Sequence, residues 1–308
     1  GVTICVSGIA NAHLARVPVL LIGGCPPRPQ TNMGPLQDIP HVDIMAPVAR
    51  YSRTARVPEQ ALRELDEAIA RAMGDMGEAG PAYIEFPTDV LRVSVPPALV
   101  LEDWLAPKPR RRIAPDRTAI EDAVAAIRAA RRPLVVSGRG AVGANAALIH
   151  FLDASGALYL DTQESRGLVP TDHPSVVGAV RAAAMGQTDL VITLGRKLDY
   201  QLGFGSPAVF PDARFLRIAA TPGELIDNRR GTPEILASVD LALQAITDAL
   251  GNDPGDRDNV WLSGLQAKHR ERISKGAATP APKTGSDGKI HPMAIFEAIR
   301  ECADPSYI

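Results

Sequence analysis

The stretch that decides the fold is "PLVVSGRGAVGANAALIHFLDASGALYLD", residues 133–161. An apolar run is followed by a glycine turn, a helix-like stretch and a second apolar run that closes on an acid. Strand, turn, helix and strand in that order are one unit of an α/β fold with parallel strands. The turn spells G-x-G-x-x-G through Gly138, Gly140 and Gly143. A strand ending at Ser137 and a helix starting near Ala141 would aim free N–H groups and the positive helix end at an anion. Gly138 and Gly140 suit the tight turn, and Gly143 suits close packing of helix on sheet. Asp161, or Glu164 just beyond it, lies where a dinucleotide fingerprint places its ribose-binding carboxylate. On these residues an NAD site and a ligand-free structural turn are both open. The position weighs against NAD, because the turn lies mid-chain behind a complete α/β segment that a dehydrogenase does not need.

The same rhythm runs outward in both directions. Upstream, "GIANAHLARV" is helical, residues 17–24 read as a buried strand, "VDIMAPVAR" as a short helix and "YSRTAR" as a short strand. The helix in "PEQALRELDEAIARAM" is expected to bury Leu62, Leu65, Ile69 and Ala72. It leads to a strand in "GPAYIEFPTDVL" that ends at Pro87. Downstream come a helix over 119–130, strands over 134–137 and 158–161, a helix over 176–185, and strands in "DLVITLG" and "RFLRIAA". "PEILAS" then opens the helix "VDLALQAITDAL". Strands alternating with helices predict doubly wound parallel sheets. The expected segments are 1–91, a proline-rich linker over 92–116, a Rossmann-like domain over 117–252, and a third segment over 253–308 that is only begun. The glycine turn at Gly1 and the strand-like "SYI" at 306–308 suggest a piece of a longer polypeptide.

Composition narrows the function classes. A net charge of -2 and 4% aromatic residues give no basis for nucleic-acid binding. Three cysteines, Cys5, Cys25 and Cys302, lie far apart without metal-ligand spacing, as suits a reducing compartment. No run is long enough to span a bilayer, and the chain opens without a signal-peptide pattern. The cytoplasm is therefore the expected location, with no membrane partner.

No nucleophile elbow, Walker A or H-E-x-x-H motif occurs. His173 and His291 each precede proline and read as turn or helix-entry residues. Glu85 and Asp89, flanking Pro87, read as solvated strand-end caps. The polar loop over 25–41 is the better candidate, because it follows a strand at the carboxyl edge where open α/β sheets bind ligands. It carries Gln30, Asn32, Gln37 and Asp38.

At this point the order of motifs matters more than any one of them. "SGIANA", "VPVLLIGG", "MGPLQDIPHVDI", "ARYSRTA" and "GPAYIEFPTDVL" resemble the pyrimidine-binding domain of thiamine-diphosphate enzymes of the acetolactate synthase type. "RPLVVSGRGA", "LDTQESRGLVPTDHP", "AVRAAAMGQTDLVITLGRKLDYQLGFG" and "LRIAATPGELIDN" resemble their central domain. "MGPLQD", "RGLVPTDHP" and "LDYQLGFG" are similar to the branch with 2-hydroxyacyl-CoA lyase, oxalyl-CoA decarboxylase and acetolactate-synthase-like enzymes.

The resemblance implies a C–C ligase or lyase, a transferase or carboligase in chemistry, that uses thiamine diphosphate and magnesium. Its expected substrates are 2-keto acids or 2-hydroxyacyl compounds, and its expected partner is a second copy of itself in a homodimer or homotetramer. Gln37 matches the family glutamine that reaches the substrate. Gly138, Arg139, Gly140 and Arg181 would face the phosphates of FAD, ADP or CoA at the central domain, and Asp227 a ribose. Two features depart from the pattern. Ile4 replaces the usual asparagine of "GVTI", and the "GMHG" stretch of FAD-bearing acetolactate synthases has no match. The family's catalytic glutamate and magnesium motif have no counterpart here, so no metal ligand is expected in this chain. A non-catalytic nucleotide-binding module is the alternative.

Overall fold

The computed structural model describes residues 1–101, 104, 106, 108–109, 111–278 and 282–303. The strand expected at 306–308 lies outside them. The chain forms two units, Gly1–Arg112 and Ile113–Ile308.

In the first unit, α1 (Val6–Ala15) leads to β1 (Val19–Cys25), α2 (His41–Met45) to β2 (Tyr51–Thr54), and α3 (Ala61–Met73) to β3 (Pro81–Pro87). The three strands pair in parallel in the order β1-β3-β2. "PAYIEFP" takes the centre and is buried along its whole length, as a near-continuous apolar run requires. The strand at β1 was expected to be buried as well. It lies instead at the edge of this sheet, and its Ile22 is 57% exposed. The buried stripe of α3 is also rotated from the expected one. It runs through Ala61, Leu65, Ala68 and Ala72, while Ile69 faces out. Small residues form that stripe, so the helix lies close on the sheet. It ends at Gly74, whose φ of +87° lets its N–H reach back to Ala70 and Arg71.

The second unit opens with α4 (Arg117–Ala129), whose first turn is capped by the Asp116 carboxylate accepting from the Ala119 N–H at 3.0 Å. There follow β4 (Pro133–Ser137), α5 (Asn145–Ser155), β5 (Leu158–Leu160), α6 (Arg181–Gln187), β6 (Leu190–Leu194), β7 (Arg214–Ala219), α7 (Pro222–Leu225), β8 (Glu234–Leu236), α8 (Val239–Leu250), α9 (Asn259–Ala278) and α10 (Pro292–Cys302). The helix expected from 176 begins only at Arg181. Residues 175–177 run alongside β5 instead, with the Tyr159 N–H donating to Ser175 O and the Val177 N–H to Tyr159 O.

All five strands are parallel, in the order β5-β4-β6-β7-β8. Alternate residues feed two cores. Val135, Ile192 and Leu216 pack on one face with α4, α5 and α8. Leu134, Val136, Val191 and Phe215 pack on the other with α6 and with Trp261 and Leu265 of α9. Both faces are covered, which is why every residue of β4 and β6 is buried. Chain order reverses between β4 and β6, and a doubly wound sheet opens its ligand crevice at such a point. The order is the five-stranded one of doubly wound folds, not the six-stranded order of the dinucleotide fold.

Candidate functional sites

At the switch point of the second unit the glycine turn meets the loop after β6. The Gly138 N–H donates to Leu194 O at 2.9 Å and the Gly140 N–H to Gly195 O at 3.0 Å. The Ala141 and Val142 N–H groups turn back to Gly138 and Arg139. These donors therefore serve protein carbonyls, and α5 begins only at Asn145, past the turn. The glycines are needed for close approach. A Cβ on Gly140 would lie 2.6 Å from Gly195 Cα, and one on Gly138 would lie 2.7 Å from Gly195 O. Gly143 has open space around it and meets the backbone's demand for a φ of +89°; it does not bring a helix onto the sheet.

What can hold an anion here is side-chain charge. A cavity of about 340 Å³ beyond the end of β5 is lined by Asp161, Thr162, Arg166, Gly178, Arg181 and Gln201, among others. Arg181 reaches it from the first turn of α6 and donates to Gln201 O at 3.0 Å. Arg166 lies 3.5 Å from Asp161. A buried hydroxyl network holds the lining residue Thr162. Ser137 Oγ meets Tyr159 OH at 2.7 Å and donates to Ser165 Oγ at 2.8 Å, and Thr162 Oγ1 donates to Ser137 O at 2.6 Å. Burial raises the Tyr159 phenol above its ordinary 10, so it stays a neutral hydrogen-bonding group. Arg139, half-buried beside Gly138, is on a different turn from the cavity lining.

Two further arginines, absent from the sequence-based candidates, shape these loops. Arg196 grips Asp199 in two bonds of 2.8 Å and Gln201 Oε1 at 2.9 Å, while its buried Nε has no hydrogen-bond partner among the described residues. Arg217 points from the centre of β7 and its side chain is 1% exposed. It donates to Glu224 O at 2.6 Å, Arg229 O at 2.6 Å and Arg196 O at 3.1 Å, and it pairs with Asp227. Asp227, the residue matched to a ribose contact, also accepts from the Leu198 N–H at 2.6 Å. Its carboxylate ties the β6–β7 loop and its own α7–β8 loop to a buried cation on β7.

In the first unit a cavity of about 810 Å³ lies at the carboxyl end of β1, lined by Gly23, Gly24, Cys25, Gln30, Gln37 and His41, among others. Asn32 and Asp38 are outside this lining. Gln37 has a φ of +57°, a left-handed conformation that side-chain-bearing residues seldom adopt and that often marks functional loops. Glu85 was expected to be a solvated cap and is buried at 6% exposure. Its carboxylate accepts from Tyr83 OH and Thr54 Oγ1, both at 2.7 Å, and lies 3.3 Å from His41 Nδ1. Burial, reinforced by the Glu85 charge, pushes the Cys25 thiol up to about 11. Asp89 pairs with Arg28 at 2.7 Å. His291 caps α10 by accepting from the Met293 N–H, and His173 sits 3.2 Å from Asp153; both act in turns, as their sequence context suggests. Among the described residues, no group of three or more His, Cys, Asp or Glu could hold a metal ion, and no helix is long and apolar enough to cross a membrane.

Comparison with known proteins agrees with this geometry. Residues 120–246 match the family model described as thiamine pyrophosphate enzyme, central domain. The chain is 27% identical over 281 residues to 2-hydroxyacyl-CoA lyase 1 of Homo sapiens, covering 88% of this chain and 48% of that protein. It is 29% identical over 303 residues to the acetolactate synthase large subunit IlvG of Mycobacterium tuberculosis, covering 96% and 52%. The solved structure of benzoylformate decarboxylase from Polynucleobacter necessarius shares the fold, with a TM-score of 0.74 at 18% identity over 99% of this chain and 55% of that one. The chain spans about half the length of the curated relatives it matches. Residues 120–246, which hold the five-stranded doubly wound sheet and the Arg181 cavity, are thus similar to a thiamine pyrophosphate enzyme central domain.

Proposed function

We propose that this chain is part of a thiamine-diphosphate-dependent C–C ligase or lyase acting on 2-keto acids or 2-hydroxyacyl compounds. Its leading chemistry is acetolactate-synthase-like ligation. Its central domain holds the nucleotide portion of a ligand in the cavity beside Arg181. The observation that carries the nucleotide assignment is the grouping of Arg166 and Arg181 with Asp161 around one cavity. Two guanidinium groups suit phosphate oxygens, and a carboxylate at the end of the neighbouring strand suits ribose hydroxyls. ADP, FAD and CoA all carry those groups. The same cavity favours 2-hydroxyacyl-CoA cleavage as the second reading, because CoA brings a nucleotide end as part of the substrate itself.

Thiamine diphosphate, when bound, supplies the electron sink for making or breaking the C–C bond. The described residues offer no ligand set for a magnesium diphosphate, so no step through the cofactor is assigned to them. What they contribute in the first unit is binding and orientation. Gln37 and His41 present an amide and an imidazole to the larger cavity, and Leu21, Ile22 and Ile39 give it an apolar wall. Family-type sites are shared between subunits, so the working protein is a homodimer or homotetramer.

The test is turnover by the native protein carrying this sequence, with thiamine diphosphate and magnesium, on pyruvate and on a 2-hydroxyacyl-CoA. Acetolactate from the first, or an aldehyde from the second, is the expected product. Absence of thiamine-dependent turnover of either would overturn the catalytic reading.

A further inference from the structure

The segment that carries Arg181 is clamped from outside by one helix. Residues 174–180 run from the edge of β5 to the start of α6, and Gly178 of this segment lines the cavity with Arg181. On the inner side the segment is tied to Tyr159 by two backbone bonds, at 2.7 and 3.1 Å. On the outer side α9 makes three polar contacts with it. Gln266 Nε2 donates to Pro174 O at 3.1 Å, Arg272 Nη1 donates to Ala179 O at 2.8 Å, and His269 Nδ1 accepts from the Ala179 N–H at 3.1 Å. Trp261 and Leu265, at the start of the same helix, are fixed in the core, so α9 offers these groups from a rigid base.

The His269 contact has a chemical condition. An imidazole accepts at Nδ1 only when that nitrogen is unprotonated. Both ring nitrogens of the imidazolium are donors, and the Ala179 N–H would then face another N–H. The charges around the ring act in one direction. Arg270 and Arg272 flank it on α9 with Lys268 beside it, and Glu271 on the same helix is engaged by Lys275 at 2.6 Å. Across the contact, residues 174–180 carry no ionisable side chain, and Arg181 is the first charge after them. Burial, and then the Arg270 charge, hold His269 below its ordinary 6.5. The neutral imidazole is therefore the form at neutral pH, and the bond is lost as pH falls through the lowered value.

We propose that His269 and Arg272 of α9 are positioning residues for the nucleotide cavity, forming a latch that holds Arg181 in place while His269 is neutral and releases it on acidification. This inference rests on the nucleotide reading of that cavity, although the latch itself can be tested without a nucleotide.

The test has two arms. In the first, hydrogen exchange of the Ala179 amide, corrected for intrinsic rate, is measured at about pH 7.5 and about pH 5 in the wild type and in His269→Asn. Asparagine offers an acceptor near the position of Nδ1 but does not titrate. Protection is expected to fall about five- to tenfold on acidification in the wild type, the worth of one neutral hydrogen bond, and to stay level in His269→Asn. In the second arm, ADP is titrated calorimetrically into the same proteins. Wild-type affinity is expected to drop about fivefold more than that of His269→Asn over the same pH change. Equal pH responses of the two proteins in the exchange arm, or in affinity once ADP is seen to bind, would overturn the latch. Loss of Ala179 protection without any ADP binding would uphold the latch and reject the nucleotide reading.

Discussion

Asp227→Ala is the substitution that most sharply separates a structural carboxylate from a ligand-binding one. The Asp227 side chain is 11% exposed and stands against the Arg217 guanidinium, which is 1% exposed. Removing the carboxylate leaves a buried cation facing only neutral acceptors, the backbone carbonyls and the Thr193 hydroxyl. Breaking a buried pair from one side typically costs about 3–5 kcal/mol, because the remaining charge is uncompensated. The Leu198 N–H loses its acceptor as well, worth about 1 kcal/mol. Four carbonyls, those of Arg196, Glu224, Leu225 and Arg229, continue to accept from Arg217, so a total of about 4 kcal/mol is expected. Guanidinium denaturation at neutral pH reads it as a fall in the midpoint at unchanged slope. The double variant Arg217→Met/Asp227→Leu is expected to recover part of the loss, giving a coupling of about 2 kcal/mol in the double-mutant cycle. A loss below about 1 kcal/mol for Asp227→Ala, with weakened ADP binding, would refute the structural assignment and restore the ribose contact.

Three further outcomes follow from the same physical reasoning. Gly195→Ala places a Cβ 2.3 Å from Gly140 Cα at a φ of +51°, and neither backbone can yield; a loss of at least about 3 kcal/mol is expected, against about 1 kcal/mol for Gly143→Ala in open space, both read by chemical denaturation. Cys25, with its thiol pushed up to about 11, is expected to react with iodoacetamide at about pH 8 at least about tenfold more slowly than exposed Cys302, as followed by peptide mass spectrometry; equal rates would contradict the buried Cys25–Glu85 contact. The Glu234 carboxyl is held below its ordinary 4.5, chiefly by hydrogen bonds from Arg230. Its stabilisation is therefore present above 4.5 and lost as pH falls through the lowered value, so the stability difference between wild type and Glu234→Gln is expected to be full near pH 6 and to shrink as pH is taken progressively below 4.5.

The layered architecture was legible because both faces of the second sheet are covered. "PLVVS" and "LVITL" are apolar but for Ser137 and Thr193 and are buried at every position, and no other environment suits such near-continuous runs so well. Edge and centre were harder to tell apart. "VPVLLIGG" looks as buried as "PAYIEFP", but pairing partners distant in sequence decide which strand lies in the middle. The glycine turn was ambiguous for a related reason. Its spacing is the same whether the glycines admit a phosphate or another loop, and Gly195, far along the chain, determines which. Arg217 was passed over because a charge inside "RFLRIAA" is indistinguishable by sequence from a solvent-facing strand residue; only the carbonyls and the Asp227 carboxylate gathered by the β7–β8 loops make its burial tolerable. Arg181 was singled out by the family resemblance alone, and it lines the same cavity as Asp161.

The most direct test of the account is a calorimetric titration of ADP into this chain and into Arg181→Ala at neutral pH. Binding by the wild type is expected, with an affinity lower by about ten- to a hundredfold in the variant, the worth of one charge-assisted contact, beside a stability loss of only about 1 kcal/mol from the bond to Gln201 O. No binding by the wild type, or equal affinity in the two proteins, would contradict a nucleotide site in the central domain.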